Sequence, residues 1–343
     1  MQGRGCRFDP DRVHCFLLAS DVSDSDSKSL PWSRRLIGLL RDARVSLPLT
    51  AALVGLNFSP TVADPPEVKP AEGKTELVVV HVPGISGIQR KDRTFLDSLC
   101  NALEAGGEVT VVERRNYEWR RGRSTIDTLQ QIEANRKLAA ELAGQLRELK
   151  TDHPDAKLLV TSHSGGAGVA AWAIEQLEPG QGGEPPVDGL LFMAAATSPG
   201  FDLSAALSNV SASVSLVSRL DTILLVAGTT SFGTIDGVKT AAAGQAGFAL
   251  PESADREQYA KLREVDYDPA WEEHQWFGDH EGMLRAGNTT SVVAPIVRRM
   301  LGLENAGETD ETAPFRPIQA MRDDPATRPV SEMTPAGSER SGG

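Results

Sequence analysis

Residues 157–174, KLLVTSHSGGAGVAAWAI, decide how this chain folds. Leu158, Leu159 and Val160 make a short apolar run that reads as a buried strand. The run breaks at Ser162-His163-Ser164-Gly165-Gly166, and Val169, Ala173, Ile174 and Leu177 then continue at helical spacing. A strand, a tight turn and a helix with serine at the apex match the G-x-S-x-G pattern of a nucleophile elbow. The residues two before and two after the serine must be small for such a turn to close. Gly166 meets the second requirement, and Ser162 stands where the first glycine is usual, larger by a methylene and a hydroxyl. A Ser/Gly string on its own is also a plain turn, so the flanking strand and helix are what single out Ser164 as a nucleophile.

Two other segments fall in the order an elbow requires. Upstream, residues 77–87, LVVVHVPGISG, are an apolar strand running into a Gly-rich loop. Downstream, residues 276–283, WFGDHEGM, set His280 just before an apolar segment, 292–301, that reads as a last helix. With these three motifs, residues 74–303 resemble an α/β-hydrolase of the serine esterase or lipase type. The resemblance implies an α/β fold, with a mostly parallel central sheet and helices on both faces. It also implies that His280 is the general base and that the 83–87 loop and the elbow supply the oxyanion hole, through Gly84, Ile85 and Gly165. Glycine suits that loop because the backbone must approach the substrate oxygen closely.

The resemblance places the acid of the triad past a late strand, and three aspartates qualify. Asp221 follows the apolar run 214–217 closely, Asp236 comes after the run 223–227, and Asp202 lies in Pro199-Gly-Phe-Asp-Leu203. Each has a structural alternative, since Asp221 or Asp202 could cap a helix and Asp236-Gly237 is a common turn pair. The implied activity is cleavage of a carboxylic ester through an acyl-enzyme, without cofactor, on a small-molecule ester or lipid. The rival reading is an α/β-hydrolase fold kept as a binding or scaffold protein.

The alternation of strands and helices supports the same architecture. Apolar runs at 109–112, 190–194 and 214–217 read as further strands. Phe95, Leu96, Leu99 and Leu103 mark one helix. A second spans about 125–149, with Ser124 as N-cap and Ile126, Leu129, Ile132, Leu142, Leu146 and Leu149 on one face. The long interval between Asp221 and His280 reads as an insertion at about 228–270, a lid or pocket wall, or else as a surface helix pair remote from the chemistry.

Composition narrows the partners. The 343 residues are 40% hydrophobic and 24% charged with a net charge of −12, which argues against a nucleic-acid surface. The stretch 114–123, RRNYEWRRGR, is the local exception. It could hold an anion or an RNA strand, but it follows a strand and reads more simply as a solvated loop. Cys6, Cys15 and Cys100 have no metal-binding spacing, and Glu272, Glu273, His274, Asp279 and His280 match no zinc signature. Of the other histidines, His153 lies in a polar loop, His81 reads as a packing residue, and His163 is expected to point away from the nucleophile.

Outside the 71–305 domain the chain reads differently. Residues 1–70 are an extension in which 34–63 combine a basic flank, a short apolar stretch and small residues, as a secretory signal or an anchor does. The alternative is an amphipathic helix lying on the domain. Membrane association is expected only through this segment, and Pro48 and its shortness argue against a full span. Location is left open between export or anchoring and the cytoplasm. Residues 64–70 read as an extended linker and 306–343 as a disordered tail.

Overall fold

The computed structural model describes residues 73–180, 182–303 and 315–318. The signal-like segment, the linker and the tail lie outside the described residues. Six parallel strands form the sheet: β1 (Thr75–Val82), β2 (Val109–Asn116), β3 (Lys157–His163), β4 (Val187–Met193), β5 (Val210–Val217) and β6 (Leu262–Asp266). Their order is β2-β1-β3-β4-β5-β6, and a two-residue strand, Arg316–Pro317, pairs antiparallel with β6 at the edge.

Helices cover both faces because the strands are apolar on both. Along β1, Leu77 and Val79 belong to one buried cluster and Val78, Val80 and Val82 to the other. The first cluster takes in Phe95, Leu99 and Leu103 of α1 (Arg90–Glu104). The second takes in Leu142, Leu146 and Leu149 of α3 (Ile132–Asp152) and Val169 and Ile174 of α4 (Gly166–Ile174). Each fully buried aliphatic side chain contributes roughly 1.5–3 kcal/mol, and a strand buried on both faces reads as a near-continuous apolar run. This sheet, with the strand–serine–helix turn at its centre, is the α/β-hydrolase fold.

The structure adds detail that periodicity alone misses. The helix expected at 125–149 is broken at Gln131 into α2 (Thr125–Gln130) and α3. Ser124 caps α2 by accepting from the Asp127 N–H, but Ile126 is 42% exposed rather than on the buried face. The interval expected to be an insertion, 228–270, contains β6, so residues 262–266 belong to the sheet itself. Ahead of β6, the single turn Ala243–Ala246 docks on the strand ends: Ser218 N–H donates to Gly244 O at 2.9 Å and Gly244 N–H to Ala195 O at 2.8 Å. No helix among the described residues is long and apolar enough to cross a membrane.

β6 carries a buried carboxylate, Glu264, which accepts the Phe248 N–H at 2.5 Å. Burial raises its pKa to about 7, against that hydrogen bond, with Asp266 adding to the rise and Arg219 opposing it. A carboxyl raised in the folded state binds its proton more tightly there than in the unfolded chain. Stability therefore falls as pH rises from the ordinary carboxylate range to about 7 and is level above it. Glu264→Gln keeps the acceptor and removes the charge. Its Tm gain over wild type is expected to be several degrees at pH 8 and much smaller at pH 5, corresponding to a few kcal/mol at most. Calorimetry at the two pH values checks this, and an equal shift at both would exclude a titrating Glu264.

Candidate active site

The C-terminal ends of parallel strands are where open α/β sheets hold their chemistry. β1 and β3 end side by side, Val82 opposite Ser162, and β4 ends with Met193 opposite His163. The next residue, Ser164, has φ +54°, a left-handed conformation that is uncommon outside glycine and typical of a serine held up on a strained turn. Its backbone is pinned on both sides, with its N–H donating to Met193 O at 2.9 Å and its carbonyl accepting from Ala196 N–H at 3.0 Å.

The two flanking positions of the elbow play unequal parts. Ser162 is wholly buried within β3, and its hydroxyl donates to Leu191 O at 3.3 Å, so a serine fits where glycine is usual. Gly166 admits nothing larger: a Cβ there would lie 2.4 Å from the carbonyl oxygens of Val82 and Pro83. The elbow is thus packed directly on the loop that leaves β1. In that loop a Cβ on Gly84 would come within 3.2 Å of Ser164 Cβ, and one on Gly165 would strike Ile85 at 2.5 Å. Ile85 and Gly165 therefore face each other beside the serine. Neither of their N–H groups donates to an acceptor among the described residues.

Of the three candidate acids, Asp221 is the one that meets His280. Asp221 Oδ2 accepts from His280 Nδ1 at 2.5 Å, with the two side chains 4% and 10% exposed. A carboxylate only accepts, so Nδ1 carries the proton and Nε2 is left as the basic nitrogen. Ser218 ties the two loops together, its hydroxyl donating to Gly278 O at 2.6 Å. Asp236 instead accepts from Ser198 N–H (2.8 Å) and Ser198 Oγ (2.6 Å), while Asp202 accepts from Ser204 and Ser253. Ser164 Oγ makes no hydrogen bond to another described residue. No hydrogen bond joins Ser164 to His280 in this structure.

His163 lies differently from expectation. Its ring centroid is 4.8 Å from that of His280, and its Nε2–H donates to the His280 carbonyl at 2.9 Å. It packs against His280 rather than pointing away from it. Burial first, and then the neighbouring His280, holds its pKa well below the ordinary imidazole value, so it stays neutral. Its Nδ1 is buried without a partner. His81 is also buried, between Thr161 Oγ1 at 3.0 Å and Asp92 Oδ1 at 3.3 Å.

The remaining reactive side chains are engaged elsewhere. Cys100 is buried, and burial pushes its thiol up to about 12, so it stays protonated. Near the His280 loop, His274 pairs with Glu273, and Asp279 makes a two-pronged ion pair with Arg285. Among the described residues no group of three or more His, Cys, Asp or Glu side chains is arranged to hold a metal ion.

No protein-family model matches the chain, and no curated protein matches it in sequence. Solved structures that it resembles include a cutinase-like protein from Cryptococcus sp., at 11% identity over 68% of this chain and 98% of that one, with a TM-score of 0.36. An acetylxylan esterase aligns at 10% identity over 67% of this chain and all of the other, TM-score 0.36. Trichoderma reesei cutinase aligns at 14% identity over 67% and 78% of the two chains, TM-score 0.34. These TM-scores are low, and the fold is read from the chain's own strand order and turns.

Proposed function

We propose that the protein is a cofactor-free serine hydrolase that cleaves carboxylic esters through an acyl-enzyme. The observation that carries this reading is the His280–Asp221 pair, set at the strand ends that also hold the strained Ser164. In the proposed cycle Ser164 Oγ attacks the ester carbonyl while His280 Nε2 takes its proton. The charge that develops on the carbonyl oxygen meets the N–H groups of Ile85 and Gly165. The C–O bond to the alcohol then breaks, and His280 returns the proton to the leaving oxygen. Water, deprotonated by the same nitrogen, cleaves the acyl-enzyme and restores Ser164.

The rim of the site supports an apolar ester. The large exposed hydrophobic side chains among the described residues are Ile126, Leu220, Ile223, Leu224, Phe232, Val238 and Phe277. All belong to segments that leave the C-terminal ends of strands, and Leu220, Ile223, Leu224 and Phe277 stand within three residues of Asp221 or His280. Exposed apolar side chains on the segments beside a site mark a place where something apolar binds.

The test is hydrolysis of p-nitrophenyl esters from acetate to decanoate, with Ser164→Ala as the blank. Leu220→Ser/Ile223→Ser is expected to lower kcat/KM for decanoate about ten-fold, since each lost apolar contact is worth a fraction of full burial, and for acetate less than two-fold. Equal effects on both esters would remove the apolar rim from the account. The absence of turnover on every ester, in folded protein, would favour the scaffold reading.

A further inference from the structure

We infer that the Arg-rich segment 117–123 is a clamp for the loop 83–88, and that Trp119 is a positioning residue for the N–H groups of Ile85 and Gly165. The inference rests on the ester-hydrolase reading of the site. Loop 83–88 has little to hold itself: its one internal backbone bond runs from Gly87 N–H to Gly84 O, at 2.9 Å. Pro83 has no N–H to offer and Gly84 no side chain, so the position of Ile85 is set from outside the loop.

Three consecutive residues set it. β2 runs on beside β1 through the bond from Tyr117 N–H to His81 O, at 2.8 Å. Glu118 Oε2 then accepts the Ile88 N–H at 3.0 Å, Trp119 Nε1–H donates to Pro83 O at 2.7 Å, and Arg120 Nη1 donates to Ser86 O at 3.0 Å. Trp119 is completely buried, and a side chain at Gly165 would meet its ring at 3.6 Å. One indole thus touches both sides of the proposed oxyanion hole. Its N–H fixes the carbonyl two residues before Ile85, and its ring backs Gly165.

The guanidinium groups are spent within this construction rather than turned toward an anion. Arg123 donates to Trp119 O (3.1 Å), Arg120 O (3.1 Å) and Asn135 Oδ1 (2.9 Å), and lies 6.0 Å from the centre of the Trp119 ring. Arg121 pairs with Glu141 at 2.6 Å, Arg114 with Asp97 and Arg115 with Glu113. A stretch that reads as basic in the sequence is paired with carboxylates and carbonyls in the fold.

Trp119→Phe keeps a buried aromatic ring and removes the N–H together with the pyrrole part of the indole. Loss of a whole oxyanion donor costs about 10²–10³ in kcat, and a displaced donor costs less. On p-nitrophenyl acetate the variant is expected to lose about ten-fold in kcat with KM within about two-fold, and fluorophosphonate addition to Ser164 is expected to slow in parallel. Arg120→Met, which deletes a bond nearer the surface, shifts kcat the same way by less and covers the case in which Trp119→Phe fails to fold. Arg114→Ala, which breaks the pair with Asp97 outside the 117–123 segment, leaves kcat unchanged.

Amide hydrogen exchange over 83–88 reads the clamp without substrate, and faster exchange in Trp119→Phe is the expected result. A kcat within two-fold of wild type, or unchanged exchange in the loop, overturns the inference. If wild type hydrolyses no ester while exchange still quickens in the variant, the clamp stands and the hydrolase reading is what fails.

Discussion

His280→Ala is expected to lower kcat on a soluble ester by about 10⁵-fold or more, with the Tm close to wild type. A serine hydroxyl at its ordinary pKa is a poor nucleophile, and His280 Nε2 is the nitrogen that the Asp221 contact leaves free to take its proton. Ser164→Ala should lose as much, and the double variant no more, because the two act on one proton and one bond. Where such residues have been removed from a serine protease, either loss alone costs about 10⁶. Steady-state rates of the three variants on one ester check this. Losses that add up on a logarithmic scale would mean that the residues act independently, and a His280→Ala enzyme that kept most of its rate would end the assignment.

Asp221→Asn is the second large effect, a fall of about 10⁴ in kcat, the size seen when the acid of a serine protease triad is replaced by its amide. The amide keeps the shape of the carboxylate but can donate to Nδ1, which favours the tautomer with the proton on the wrong nitrogen. Asp236→Asn and Asp202→Asn are expected to change kcat less than about ten-fold, because those carboxylates bond Ser198 and the Ser204–Ser253 pair instead. Comparing the three amide variants at the same pH separates the candidates. A larger loss for Asp236→Asn than for Asp221→Asn would reassign the acid.

The parts of the fold that were legible in the sequence are those where chemistry is local. Leu158-Leu159-Val160 followed by a small-residue turn reads as a strand entering an elbow because both requirements, apolarity and size, sit in neighbouring residues. β6 was not legible. Its sequence, Leu262-Arg263-Glu264-Val265-Asp266, carries three charges, and Glu264 is buried against Phe248 N–H, an arrangement no hydrophobic period announces. The missed strand made the approach to His280 look like inserted chain.

The site divides along the same line. Ser164 and His280 stand in recognisable settings, and Asp221 could be favoured by its place after β5, but only the fold shows Asp236 turned to Ser198. The setting of His163 is not legible, because alternation along a strand says which face a side chain takes and nothing of what the last residue meets beyond the sheet. There it meets the His280 loop, distant in sequence. Trp119 was hidden for a related reason. Amid five arginines it reads as part of a charged loop, and its use depends on a carbonyl contributed by another strand's loop.

The central claim is that Ser164 is an activated nucleophile, and fluorophosphonate labelling of the purified protein, read by intact mass and peptide mapping, tests it most directly. The account predicts one adduct per chain, on Ser164, lost in His280→Ala. Folded protein that takes up no adduct, or takes it up at another residue, would contradict it.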